Sequence, residues 1–132
     1  MREGLGLGML RECVEPSMLH ASVLELFALL SMGHFLADFS LQGDRMAVEK
    51  CPGRDVTLSW RWWLAAHAAV HGLMVALLTH VVWIGLAEWA VHAVIDYFKC
   101  RRCYGLKVDQ AMHIIFKFFW AVLAVSVPRA YG

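Results

Sequence analysis

The sequence predicts an all-α fold, a four-helix transmembrane bundle, and three observations predict it. The chain is 60% hydrophobic over 132 residues, with mean hydropathy +0.55. A soluble domain this small has too little interior for so much apolar sequence. Its apolar residues gather in three stretches, Met18 to Asp38, Trp60 to Phe98 and Asp109 to Val127. The middle stretch is long enough for two crossings of about 20 residues each.

The elements follow in order. Residues 1–17 hold Arg2, Glu3, Arg11, Glu12, Glu15 and Pro16 without an apolar core or a small-residue cleavage site, so a disordered tail is expected rather than a signal peptide. The apolar pattern begins at Met18, a second candidate start beside Met1. Residues 18–132 form the membrane domain, with helices expected at about 18–38, 60–79, 83–99 and 109–127. The turn inside the middle stretch is expected between Thr79 and Gly85. Phe39 to Lys50, in the first polar linker, is expected to form a short interfacial helix.

The net charge of +1 gives no reason to expect a nucleic-acid partner. Arg45, Lys50, Arg54, Arg61, Lys99, Arg101, Arg102 and Lys107 fall in the linkers on one side, against Arg2, Arg11 and Arg129 on the other. The positive-inside rule then predicts a multi-pass protein of the bacterial cytoplasmic (inner) membrane, with both termini on the outer side. Cys100-Arg-Arg-Cys103 is a single CxxC, read as two loop thiols on the reducing side rather than a redox or zinc knuckle.

The chemistry lies in pairs. Of seven His and five Asp, eight fall at spacing four: His34/Asp38, His67/His71, His92/Asp96 and Asp109/His113. Chance predicts about one such pair. Helix positions four apart differ by about 40° and about 6 Å, so each pair presents two groups from one face. In the predicted topology all four pairs reach similar depth in the cytoplasmic half. An ionisable group at the bilayer centre costs about 2.5–3.5 kcal/mol, so such groups face inward and pair. Imidazole and carboxylate together suit zinc first, with iron or manganese as alternatives, and eight groups suffice for one ion or two.

Other residues extend the site. Glu88 lies four before His92 and Lys117 four after His113, which predicts a buried Glu88–Lys117 ion pair below the metal. Glu88, Asp109 and His34 are the candidates for a general base. Gln42 and Gln110 are expected to hydrogen-bond a ligand or substrate. Ser31 is read as a hydroxyl satisfied by its own helix, Glu25 as facing away, and His20 and His80 as interfacial. The small-residue face Ala65, Ala66, Ala69, Gly72 and Ala76 is expected to pack within the bundle or against a second copy in a homo-oligomer.

Gly33-His34-Phe35-Leu36-Ala37-Asp38-Phe39-Ser40-Leu41-Gln42 resembles the opening motif of an uncharacterised family of small bacterial and phage integral membrane proteins, a domain of unknown function. His67-Ala-Ala-Val-His71, His92-Ala-Val-Ile-Asp96-Tyr97 with Lys99, and Asp109-Gln110-Ala-Met-His113 agree with it. The resemblance covers about residues 18–127 and implies the membrane fold and the site, but no reaction.

Taken together, the residues point to a membrane metal-binding protein in contact with the lipid bilayer. A metal-dependent hydrolase acting on a lipid or amphipathic substrate at the cytoplasmic side is the leading expectation. The alternatives are a di-iron or haem oxidoreductase, and a non-enzymatic transport or phage accessory protein with a structural metal.

Overall fold

The structure is a computed structural model and describes residues 16–127, with side chains from residue 22 onward. The expected N-terminal tail lies outside the described residues except for Pro16 and Ser17, which are helical. The His20 side chain and Arg129 also lie outside them.

Helix α1 runs Pro16–Phe35, and Pro16 suits its first turn because an N-terminal N–H has no partner in the helix. The chain then widens into a π-helical segment, Leu36–Leu41. A regular helix ending near residue 38 was expected. The wider segment carries Asp38, in keeping with the frequent placement of π turns at functional sites. The expected interfacial helix 39–50 is therefore split: the π segment ends at Leu41, and α2 covers only Asp44–Glu49.

Helices α3 (Trp60–Thr79) and α4 (Val82–Cys100) form an antiparallel hairpin. The turn is just His80 and Val81, within the predicted window. His80 takes the left-handed conformation at φ 57, exposed as expected. Thr79 Oγ1 closes the turn by accepting from Val81 N at 3.2 Å and donating to Val75 O at 2.7 Å. Helix α5 covers Leu106–Ser126. It starts three residues before the predicted boundary, so Gly105 stands at the cap and the Asp109 side chain is free to turn inward.

Helix α3 packs along α4, α1 against both α3 and α5, and α5 against α4, so the four long helices close a ring. The tightest approach is between α3 and α4. A Cβ on Gly85 would stand 2.5 Å from both Ala76 Cβ and Gly72 O. The small residues Gly72 and Ala76 thus pack inside the bundle.

Among the described residues there is no strand. Three helical spans are long and apolar enough to cross a membrane: Ser22–Leu41, Trp60–Thr79 and Leu106–Ser126. Helix α4 matches them in length but carries Glu88, Asp96 and Lys99. The distribution of polarity is inverted relative to a soluble protein. Leu24, Met32, Leu73, Leu77, Leu86 and Ile115 are exposed, whereas His34, His67, His71, Glu88, His92, Asp96, Asp109, His113 and Lys117 are buried. An apolar plug of Leu30, Val75, Ile84, Trp120, Ala121 and Ala124 fills the other part of the interior.

One sequence expectation is corrected. Cys100 is joined to Cys51, with Cα atoms 5.1 Å apart, and only Cys103 is free and exposed among the described cysteines. The bond ties the linker after α2 to the end of α4. The same linker is anchored by Glu49, whose carboxylate accepts from Thr57 N and Thr57 Oγ1, both at 2.7 Å, from Trp63 Nε1 at 3.2 Å and from Val56 N at 3.3 Å. The backbone N–H of Thr57 and these further donors, against the opposing effect of burial, hold the Glu49 carboxyl at about 2. In the linker after α4 the Tyr104 hydroxyl donates to Ile95 O. Burial, followed by the charges of Asp109 and Asp96, raises its pKa above the usual tyrosine value.

Candidate metal centre

All four predicted pairs meet in one place. Helix α1 with its π extension supplies His34 and Asp38, α3 supplies His67 and His71, α4 supplies His92 and Asp96, and α5 supplies Asp109 and His113. The five rings crowd together: His71 and His92 stack with centroids 3.6 Å apart, and His92 and His113 at 4.1 Å.

The largest set is Asp38, His67, His71 and His92, whose ligand atoms all lie within 4.8 Å of one another. Asp38 Oδ1 is 3.3 Å from His67 Nε2 and 3.1 Å from His71 Nε2. His67 Nε2 is 3.3 Å from His92 Nε2. Bonds of about 2.0–2.1 Å to a tetrahedral ion place its ligand atoms about 3.3–3.4 Å apart. These three separations match the edges of such a tetrahedron, and the other three lie within 4.8 Å.

Hydrogen bonding alone does not account for this convergence. His71 Nε2 and Asp38 Oδ1 are 3.1 Å apart, yet neither has a hydrogen-bond partner. They are close enough to interact but lack the geometry of a hydrogen bond. His67 Nε2 faces Asp38 Oδ1, Asp96 Oδ2 and His92 Nε2, each at 3.3 Å. One N–H cannot serve three acceptors. A cation can.

Neighbouring side chains fix the remaining atoms of this set. Glu88 Oε1 lies 3.3 Å from His92 Nδ1. As the acceptor it calls for a proton on Nδ1, which leaves the Nε2 lone pair for an ion. Glu88 is held in turn by Lys117 and by Trp120 Nε1, which donates to it at 2.5 Å. The expected Glu88–Lys117 pair is present, and it engages Glu88 fully, so Glu88 orients His92 instead of acting as a base. Gln110 Nε2 donates to Asp38 Oδ2 at 2.9 Å, and its Oε1 lies 3.1 Å from His34 Nε2, the donor to it. Gln110 thereby turns Asp38 Oδ1 toward the imidazoles and commits His34 Nε2 elsewhere. Gln42 reaches the site indirectly, accepting from Lys50 at 2.6 Å.

The charges also discriminate among the carboxylates. Lys50 pairs with Asp96 at 2.5 Å, Lys99 with Asp109 at 2.8 Å, and Lys117 with Glu88. Asp38 is the one carboxylate of the cluster with no lysine or arginine partner among the described residues. His113 is shared, 3.4 Å from Asp96 Oδ1 and 3.6 Å from Asp109 Oδ1. Asp96, Asp109 and His113 also satisfy the spacing of a metal-binding group, as do His34, His92 and His113. Lysines already compensate both carboxylates of the former.

Sequence reasoning missed Lys50 and Lys99. Lys99 lies three residues after Asp96, on its helical face, a signal that was available. Lys50 ends the expected interfacial helix, and no spacing relates it to Asp96. Ser31 also departs from expectation: its Oγ is buried with no partner, where a bond within its helix was expected. Glu25 is exposed, facing away as the spacing required.

No curated protein and no solved structure matches the chain. A family described as "Protein of unknown function (DUF3307)" matches residues 26–129, a segment that contains all four His/Asp pairs. The chain belongs to that family.

Proposed function

We propose that the protein is a four-helix transmembrane bundle that holds one divalent ion, zinc by preference, on Asp38, His67, His71 and His92, and uses it to hydrolyse a lipid or other amphipathic substrate. The observation that carries the reading is the orphaned Asp38 Oδ1 and His71 Nε2, 3.1 Å apart. Helix α4 crosses with the others because its charged groups face the interior, where Glu88 and Asp96 are buried. A bound ion polarises a scissile group and lowers the pKa of a coordinated water toward about 7. Asp96 Oδ2, 3.3 Å from His67 Nε2 and 3.8 Å from His92 Nε2 and paired with Lys50, stands beside the four ligands, where it would orient a coordinated water rather than take its proton.

A single ion is favoured over two because Lys50 and Lys99 already neutralise Asp96 and Asp109. A haem is disfavoured because the imidazoles stack too closely for a macrocycle between them. Conduction is disfavoured by the apolar plug beyond Glu88 and Lys117.

The test is turnover of glycerolipid esters, amides and phosphoesters by the full chain in detergent. Expected is release of product that stops with 1,10-phenanthroline, returns with zinc, and is lost in Asp96→Asn while the ion stays bound. A metal-loaded protein that cleaves none of these substrates would overturn the hydrolytic reading and leave the ion a structural role.

The cationic linkers support a reading in which this end of the bundle faces the cytoplasm of a bacterial inner membrane. The Cys51–Cys100 bond then meets a reducing compartment, where disulfides are transient, catalytic or redox-sensing. A membrane-impermeant maleimide on the exposed Cys103 decides the orientation. In a Cys13→Ser background labelling is expected only after permeabilisation; labelling of intact cells would reverse the topology and put the disulfide in an oxidising compartment.

A further inference from the structure

A second cavity-lining set of charges lies directly above the proposed ion. A cavity of about 440 Å³ opens between α2, the loop that follows it and the end of α4. Lys50, Arg54, Lys99 and Arg102 line it, together with the Cys51–Cys100 bond, and no carboxylate does. Lys50 is only 4% exposed, an unusual burial for an ammonium. Its Nζ reaches down to Asp96, and Lys99 reaches down to Asp109. The floor of the cavity is therefore the roof of the metal centre.

The charges do not balance. Of the four cations, Lys50 and Lys99 are matched by Asp96 and Asp109, whereas Arg54 and Arg102 form no ion pair among the described residues. Two positive charges remain over. Arg102 holds its place through a left-handed backbone, φ 60, where the chain leaves α4. A doubly charged phosphate monoester matches a surplus of two, and guanidinium groups bind phosphate oxygens in a bidentate fork. The surroundings suit an amphiphile: Val48 lines the cavity and is 52% exposed, and Leu41, 57% exposed, adjoins Gln42 of the lining.

We infer that this cavity binds a phosphate group, placed beside the ion as the head of an amphiphilic substrate. Calling that group a substrate rests on the hydrolase reading; its binding does not. The cations that hold the phosphate are separate from the four ion ligands, and Lys50 and Lys99 link the two sites. The disulfide sets the cavity wall and fixes Lys50, its neighbour in sequence, over Asp96.

The experiment is calorimetric titration of the full chain in dodecyl maltoside with three probes: inorganic phosphate, dihexanoyl phosphatidic acid and dihexanoyl phosphatidylcholine. Phosphatidic acid is expected to bind at least tenfold more tightly than phosphatidylcholine. Arg54→Gln/Arg102→Asn is expected to weaken it at least tenfold. Both positions are exposed, and Asn tolerates the left-handed backbone at 102, so the variant keeps the fold. Inorganic phosphate that binds as tightly as phosphatidic acid identifies the free ion as the source; binding of phosphatidic acid alone identifies the lipid head. No binding of either probe, or affinity unchanged in the double variant, would overturn the assignment. Repeating the titration after chelator treatment separates the two readings, because phosphate binding that persists without the ion stands even if hydrolysis fails.

Discussion

Lys117→Met is expected to destabilise the protein by about 3–5 kcal/mol, the cost of stripping the partner from a buried charge. Glu88 and Lys117 are each 1% exposed and sit between the imidazoles and the apolar plug. Without Lys117, Glu88 keeps only Trp120 Nε1 and His92 Nδ1. The double variant Glu88→Gln/Lys117→Met should recover most of the loss, since no unpaired charge then remains. Unfolding in mixed dodecyl maltoside and dodecyl sulfate measures both. A single variant as stable as the parent would show that the pair is not buried in the folded protein. Glu88→Gln carries a second consequence. It alters the group that orients His92, and about 10–100-fold weaker metal binding is expected from it.

His71→Ala is expected to remove the ion altogether. It takes away one of the four atoms of the tetrahedral set and leaves Asp38 Oδ1 without its 3.1 Å neighbour. The parent protein should gain about 4 kcal/mol of stability at a zinc concentration 1,000 times its dissociation constant. The variant should gain none. His80→Asn serves as the control, because His80 is exposed at the α3–α4 turn in a left-handed conformation that Asn also adopts. Zinc that stabilises His71→Ala as much as the parent would remove His71 from the ligand set.

The site was legible in the sequence because its residues recur at the helical repeat. His67 and His71 share a face of α3, His92 and Asp96 a face of α4, and the two pairs lie nearly symmetrically about the short turn at His80-Val81. Helix geometry alone then brings them to one level. Glu88 and Lys117 were readable for the same reason, each one turn beyond a His/Asp pair. The fold boundaries came within a few residues because apolar runs mark them.

What was not legible depends on contacts distant in sequence. The π segment at Leu36–Leu41 has no proline to announce it, and it changes how Asp38 meets α3. Lys50 reaches Asp96 across 46 residues, and Cys51 pairs with Cys100 across 49. Neither follows any periodicity. Gln110 was expected to hydrogen-bond a ligand or substrate, but the sequence did not say which groups it would meet. Its bridge from His34 on α1 to Asp38 appears only once α1 and α5 are packed together.

The most direct measurement is the metal content of the full chain, purified in dodecyl maltoside without added chelator and read by elemental mass spectrometry. One equivalent of zinc, or of iron or manganese, per chain is the expected result. Folded protein that holds none of the three, even after reconstitution with each ion, would contradict the metal centre and leave Asp38, His67, His71 and His92 as a buried hydrogen-bond cluster.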